Sequence, residues 1–406
     1  MDSLTFIILI GFVWIVLTGI SRISWFNVTN PEIGLGFAYY RTTRLNAMIS
    51  KIGERGKIFW KLLWDIGIIA GLGILFIGLI VFSINIITFF IKFLLPKSSN
   101  VTPIAITPVI PGITVSFASL PYFIVAIMIG AIVHEFAHGI AAINEKVSLK
   151  STGIFVFLLF FGAFVEPEEE KILKASSRSK MRIMAAGGLA NMIVAVFFLL
   201  VLLLPMGFPF LISPFYETES TGALIVNTVS GTPARQEGIQ TGFVLIGVES
   251  ELGYFSINSA SDFTSFVQAE VYINQSLAFH FAGNIDPISL KTMNKSIITD
   301  KSIDNTTGFI GIATWDYNEP KFLSDIVFIR LVPYWLFYTI LYTFMVNLML
   351  ALMNLLPVPF LDGDKLLAAF LGENNQTLHK WVKYFALTVL VSNLALSFLF
   401  MGWQQI

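Results

Sequence analysis

Two histidines four positions apart with a glutamate beside the first, His134-Glu135-Phe136-Ala137-His138, are the residues of this chain best spaced to do chemistry. On an α-helix, positions i and i+4 share a face about one turn apart, so both imidazoles reach one zinc ion at about 2.0–2.1 Å. Glu135 then stands where a carboxylate takes a proton from an attacking water and passes one to a leaving amine. The motif lies in an apolar run that begins at Phe123. Ionisable groups inside a membrane span are costly unless paired, so three at metal-ligand spacing demand a compensating function and weigh against a chance match.

A catalytic zinc takes three protein ligands and leaves a position for water. The extended motif that would add a later Gly and His fails, because those positions hold Ala141 and Asn144. Glu166 is one candidate, but it opens onto the acidic run Glu168-Glu169-Glu170 and reads better as the point where the chain returns to water. Asp362 is the stronger, in Asn354-Leu355-Leu356-Pro357-Val358-Pro359-Phe360-Leu361-Asp362-Gly363-Asp364. Two prolines interrupt the helix there and Gly363 loosens the backbone, so a carboxylate can turn back into the bundle. The ordinary alternative is an interfacial aspartate that caps the next helix.

The elements that position these groups are membrane helices. Of 406 residues 55% are hydrophobic and only 13% charged, against about 45–50% and 25% in soluble domains. The formal net charge of -1 argues against nucleic acid as a partner, since nothing would neutralise its phosphates. There are no cysteines, which excludes disulfides and thiolate metal sites. Six runs approach the roughly 20 apolar residues a span needs: 4–20, 66–95, 121–143, 183–204, 333–356 and 382–402. The first carries no basic residue before it and is expected to be an anchor, not a cleaved signal. A seventh, 153–165, is too short to span as a helix and is expected to be a re-entrant β-prone loop. Residues 21–65 and 144–182 each hold seven Lys or Arg, whereas 96–120 hold only Lys97. The positive-inside pattern therefore places 21–65, 144–182 and 357–381 in the cytoplasm, and 205–332 with both termini outside.

Segment 205–332 is polar, with 13 acidic and six basic residues, and reads as a soluble domain inserted between spans. Strands are expected at 223–229 and 243–248, a short helix after Pro233 closed by Gly238, and a capped helix start at 261–267. The order resembles a PDZ domain of the kind fused to membrane and periplasmic proteases, with Thr232-Pro233-Ala234-Arg235-Gln236-Glu237-Gly238-Ile239 at its signature loop and Gly242-Phe243 where Gly-Asp is usual.

Over nearly its whole length the chain resembles the site-2 protease family of intramembrane zinc metalloproteases. His134, Glu135 and His138 match its first motif, and Asn354 through Gly363 match its Asn-x-x-Pro-x-Pro-x-Leu-Asp-Gly motif without a break. Ala186-Gly187-Gly188-Leu189-Ala190-Asn191 is similar to its Gly-rich stretch before an asparagine, with Leu189 in place of a frequent proline. The resemblance implies a polytopic α-helical fold of about six transmembrane helices with a re-entrant β-loop and an inserted extracytoplasmic α+β domain. It divides the chain into an N-terminal membrane region 1–120, the first part of a catalytic core 121–204, a PDZ-like domain 211–322 and the second part of the core 330–406. It implies Zn²⁺ on His134, His138 and Asp362, Glu135 as the base, and support of substrate or transition state from Asn191, Asn354, Gly153 and Gly162. The implied partners are the lipid bilayer and transmembrane protein substrates, such as membrane-tethered regulatory proteins after a first cut outside.

Two alternatives belong to other classes. A membrane metal transporter also buries His and carboxylates but needs ligands across both leaflets, and an inactive PDZ scaffold would have no use for Glu135. His280 and His379 are expected to be a surface and an interfacial histidine. The Asn-x-Ser/Thr triplets at Asn100, Asn274, Asn294 and Asn305 would be open to glycosylation. Because the insert joins the spans that carry Asn191 and lead to Asp362, it is expected to filter substrates by size.

Overall fold

The computed structural model describes residues 11–19, 32–95, 102–158, 160–204, 206–229, 231–282, 293–298, 300–301, 308–323 and 326–401. Its elements run α1 (11–19), β1 (Glu32–Gly34), β2 (Phe37–Thr42), α2 (Arg44–Glu54), α3 (Lys57–Leu94), α4 (Leu120–Asn144), β3 (Leu149–Phe157), β4 (Phe160–Pro167), α5 (Glu169–Lys174) and α6 (Ser177–Leu203). There follow α7 (Phe208–Ile212), β5 (Tyr216–Thr228), α8 (Pro233–Gln236), β6 (Val244–Ser250), β7 (Gly253–Ser256), α9 (Ala260–Glu270), β8 (Ser276–Ala282), β9 (Met293–Ile298), β10 (Asp300–Lys301), β11 (Gly308–Phe309) and β12 (Ile312–Pro320). The chain closes with α10 (Val327–Asn354), α11 (Asp362–Leu371) and α12 (Gln376–Met401). Two compact units result, residues 1–199 with 341–406, and residues 200–340.

Among the described residues, five helices are long and apolar enough to cross a membrane: α3, α4, α6, α10 and the stretch Glu373–Phe400 that contains most of α12. Each lies over one of the expected spans. Of the expected first span, 4–20, residues 11–19 form α1 and the others lie outside the described residues. Of the five, all but α4 begin several residues before the apolar runs; on α3, polar and aromatic residues such as Trp60, Lys61 and Asp65 continue the helix into the interface. In lipid, apolar side chains gain little by packing on one another, so small residues decide where helices meet. On α3 the buried face is Trp64, Gly67, Gly71 and Leu75. A Cβ on Gly67 would lie 3.1 Å from Leu189 of α6, and one on Gly71 3.0 Å from Leu366 of α11.

The segment 153–165 is more than a loop. Strands β3 and β4 pair antiparallel from Leu149↔Pro167 to Phe157↔Phe160, and β1 and β2 extend them into a sheet ordered β1-β2-β3-β4. At the tip Leu158 has φ 54° and donates its N–H to the Gly36 carbonyl at 2.7 Å. Among the described residues β4 pairs with a strand on one side only, and its other edge faces the site.

In the second unit, β12-β5-β6-β8-β9 form an antiparallel sheet, with β7 on β6. Alternating residues Ala223, Ile225, Leu245, Phe279 and Phe281 make its core with Ile257 and Phe263. The expected strands, the Gly238 turn and the helix from 261 each have a counterpart, β5, β6, α8 and α9. Ser259 caps α9 by accepting the Asp262 N–H at 3.1 Å.

Candidate active site

Helix α4 carries His134 and His138 on one buried face, their rings 4.7 Å apart. Chain reversal at the two prolines ends α10 at Asn354 and starts α11 at Asp362. A Cβ on Gly363 would lie 2.2 Å from the Leu355 carbonyl, so only glycine lets α11 begin this close to the end of α10. The Asp362 carboxylate caps no helix. Its Oδ2 lies 3.0 Å from Nε2 of His134 and 3.0 Å from Nε2 of His138, and the two Nε2 atoms are 3.1 Å apart. Among the described residues, these three form the one group of side chains that could hold a metal.

What lies behind the imidazoles fixes which nitrogen faces the centre. His138 Nδ1 donates to the Ile183 carbonyl at 2.7 Å, leaving Nε2 as a bare lone pair. His134 Nδ1 lies 3.3 Å from Nδ2 of the fully buried Asn191, whose amide oxygen has no partner among the described residues, so exchanging the two amide atoms satisfies both groups. With that oxygen turned to His134 it accepts the Nδ1 proton, and the second Nε2 is bare as well. Two imidazole lone pairs and a carboxylate oxygen, 3.0–3.1 Å apart, are repulsive without a cation among them. The donor set of two nitrogens and one oxygen is that of a catalytic zinc site.

All of this backing comes from one stripe of α6: Ile183, Gly187 and Asn191, spaced by four. A Cβ on Gly187 would stand 2.5 Å from His134 Cε1 and 2.5 Å from His138 Nε2. The start of the helix is clamped by Arg182, which donates to Asp65 of α3 at 2.7 and 2.8 Å and to Glu145 just after α4 at 2.8 Å. The sequence reading named Asn191 but missed Gly187, Arg182, Asp65 and Glu145. Gly187 had a signal, its place in the Gly-rich stretch four residues before Asn191, whereas the ion cluster had none.

Glu135 points at the free edge of β4 and accepts the Val165 N–H at 3.1 Å. A cavity of about 460 Å³ lined by His134, Glu135, Asn191 and Asp362 runs along Ile127, Ala131, Gly162, Ala163, Leu350 and Asn354. A second, of about 390 Å³, reaches from Glu135, His138 and Asp362 to Arg41, Glu166 and Glu169. Asn354 and Gly162 thus line the site. Gly153 does not: it is buried in β3, where a Cβ would sit 2.2 Å from the Tyr40 carbonyl, so it serves sheet pairing. Glu166 is committed elsewhere. Lys150 at 2.9 Å and Ser151 at 2.7 Å hold its carboxyl below the usual range. Asp364 receives His379 at 2.7 Å and Lys383 at 3.4 Å. His280 meets Tyr254 edge-to-face, with centroids 5.3 Å apart and the rings 70° to one another.

Residues 122–397 match the family model described as Peptidase family M50. An uncharacterized protein of Methanocaldococcus jannaschii is 29% identical over 386 residues, covering 91% of this chain and 86% of its own length. A membrane-bound transcription factor site-2 protease homolog of Arabidopsis thaliana is 27% identical over 208 residues, 50% of this chain and 38% of that protein.

Proposed function

The chain belongs to peptidase family M50, and from that premise we propose that this integral membrane metalloprotease of the site-2 type uses zinc to cut peptide bonds inside transmembrane segments of membrane-tethered regulatory proteins. The observation that carries the reading is the convergence of His134, His138 and Asp362 to 3.0–3.1 Å with Glu135 beside them. Bound to those three, zinc supplies a Lewis acid that activates water and polarises the scissile carbonyl. Glu135 takes the proton of the attacking water and returns one to the leaving amine. The Val165 N–H keeps the Glu135 carboxylate turned to the cavity while it does so.

A transmembrane helix hides its carbonyls in its own hydrogen bonds, so the substrate has to unwind before it is cut. The free edge of β4 supports a way to hold the unwound segment, since an added strand replaces the lost helical bonds with sheet bonds. Residues of the same parity as Val165, Ala163 among them, turn their backbone groups to that edge. The second unit, an antiparallel sheet with α8 and α9, supports a PDZ-like reading, outside the membrane by the charge pattern, admitting substrates already trimmed there.

Zinc content and cleavage of a model transmembrane substrate, with Glu135→Gln beside the native protein, test the proposal. The variant is expected to keep its zinc and lose cleavage by roughly 10²–10⁴-fold. Full cleavage by the variant, or native protein that holds no zinc, overturns it.

A further inference from the structure

Three side chains line both cavities of the site: Glu135, Asp362 and Lys365. The first two have roles above. Lys365 follows Asp362 by three positions on α11, on the same side of the helix, while Leu366 and Leu367 take the buried side. Its side chain is exposed and makes no ion pair among the described residues.

That freedom is unusual among so many carboxylates. Asp362 is held by the two histidines, Glu135 by the Val165 N–H, and Glu166 by Lys150 and Ser151. Glu169 lies on the exposed first turn of α5. The peptide at the cut is neutral when it enters. In hydrolysis the water oxygen bonds to the carbonyl carbon, the C–N bond breaks, and the amine departs with the proton Glu135 delivers. The N-terminal fragment then ends in a carboxylate, formed where the cavities carry Glu135, Asp362, Glu166 and Glu169 against the cations Lys365, which lines both cavities, and Arg41, which lines one.

We propose that Lys365 binds the negative oxygen of the cleaved carbonyl group, first as it develops during attack and then as the new C-terminal carboxylate of the product. The proposal rests on the proteolytic reading above, and it adds the recognition of an anion that neither the motif nor the family match assigns. A charge-assisted hydrogen bond of this kind favours carboxylate over amide by roughly tenfold or more.

The test uses the full-length protein in nanodiscs, stripped of metal with a chelator so that zinc cannot bind the probe. Short apolar peptides ending in a free carboxylate or in a carboxamide are compared by equilibrium binding. Native protein and Lys365→Arg are expected to prefer the carboxylate about tenfold, and Lys365→Met to lose the preference. Lys365→Gln repeats the comparison should Met disturb the fold. With zinc restored, Lys365→Met is expected to keep its metal and to resist inhibition by the carboxylate peptide about tenfold better than native protein. An equal preference in native protein and both neutral variants, or none in native protein, overturns the role of Lys365. Cleavage of the model substrate by native protein, run alongside, shows whether the proteolytic reading stands when the lysine role falls.

Discussion

Gly187→Ala puts one methyl group into the back of the metal site. Its Cβ would lie 2.5 Å from His134 Cε1 and from His138 Nε2, and 2.6 Å from His134 Nε2. Ordinary contact needs about 3.5 Å, so the rings and α6 have to part by about 1 Å. Ligand distances tolerate only about 0.2 Å. Overpacking of this kind costs about 1–3 kcal/mol, and a loss of about 1.4–2.8 kcal/mol in zinc binding is a 10–100-fold weaker Kd. The helix itself gains from the change, since Ala is preferred over Gly in a helix interior by about 1 kcal/mol. In metal-free protein the imidazoles can swing away, so thermal stability there is expected to hold or rise while zinc affinity falls. Competition with a chelator of known affinity reads the Kd, and a melting curve in excess chelator reads the fold. Gly188→Ala is the control, because the nearest atoms to its Cβ belong to the Leu355 side chain, at 2.7 Å, and not to a ligand. A Gly187→Ala protein with native zinc affinity would refute the reasoning.

Asp362→Ala is expected to lose zinc far more than Glu166→Ala or Asp364→Ala, whose carboxylates already have partners; metal analysis of the three purified variants ranks them, and another order moves the third ligand. Asp65→Asn takes a charge from the Arg182 clamp and is expected to cost about 1–3 kcal/mol of stability and to weaken zinc binding about tenfold through the displaced Ile183 carbonyl; unchanged affinity would separate the clamp from the site. Labels in 144–182 are expected to react only from the cytoplasm and labels in 215–320 only from outside, and the reverse pattern would invert the topology. Replacing 215–320 by a flexible linker is expected to admit substrates with intact ectodomains; continued rejection of them, with trimmed substrates lost to mutations in the insert's groove, would make the insert a recruiter.

The ligand spacing could be read in the sequence because it is local chemistry: i and i+4 on a helix, and a carboxylate just after a helix break. The spans could be read because twenty apolar residues carry their own signal. The sheet around the site could not. β2 and β3 lie more than a hundred positions apart, and their pairing, Phe37↔Phe157 through Thr42↔Thr152, depends on a register that no single segment encodes. The apolar run 153–165 reads as a β-prone re-entrant loop, and it forms the β3–β4 hairpin, but its pairing with the distant β2 has no local signal. The clamp was hidden for the same reason, since Asp65, Glu145 and Arg182 look like interfacial charges until three helix ends converge.

Glycine explains why this site can be tight without a large core. Membrane helices gain little from burying one apolar side chain against another, so their contacts depend on close approach. Gly187 lets α6 touch both imidazoles, and Gly363 lets α11 return its aspartate to them. On the flanks of the same helix α4, a Cβ at Gly130 would meet Leu350 of α10 at 2.6 Å, and one at Gly139 would meet Val165 of β4 at 3.1 Å. Each partner so admitted brings a functional group within reach: Asn191, Asp362, Asn354 at the end of α10, and the Val165 N–H. A methyl group at Gly187, Gly130 or Gly139 meets a neighbour's side chain, whereas one at Gly363 meets the Leu355 backbone and so shifts the start of α11 that carries Asp362. Damage at the four glycines should therefore appear as weaker zinc binding at Gly187 and Gly363, and as slower cleavage with zinc retained at Gly130 and Gly139.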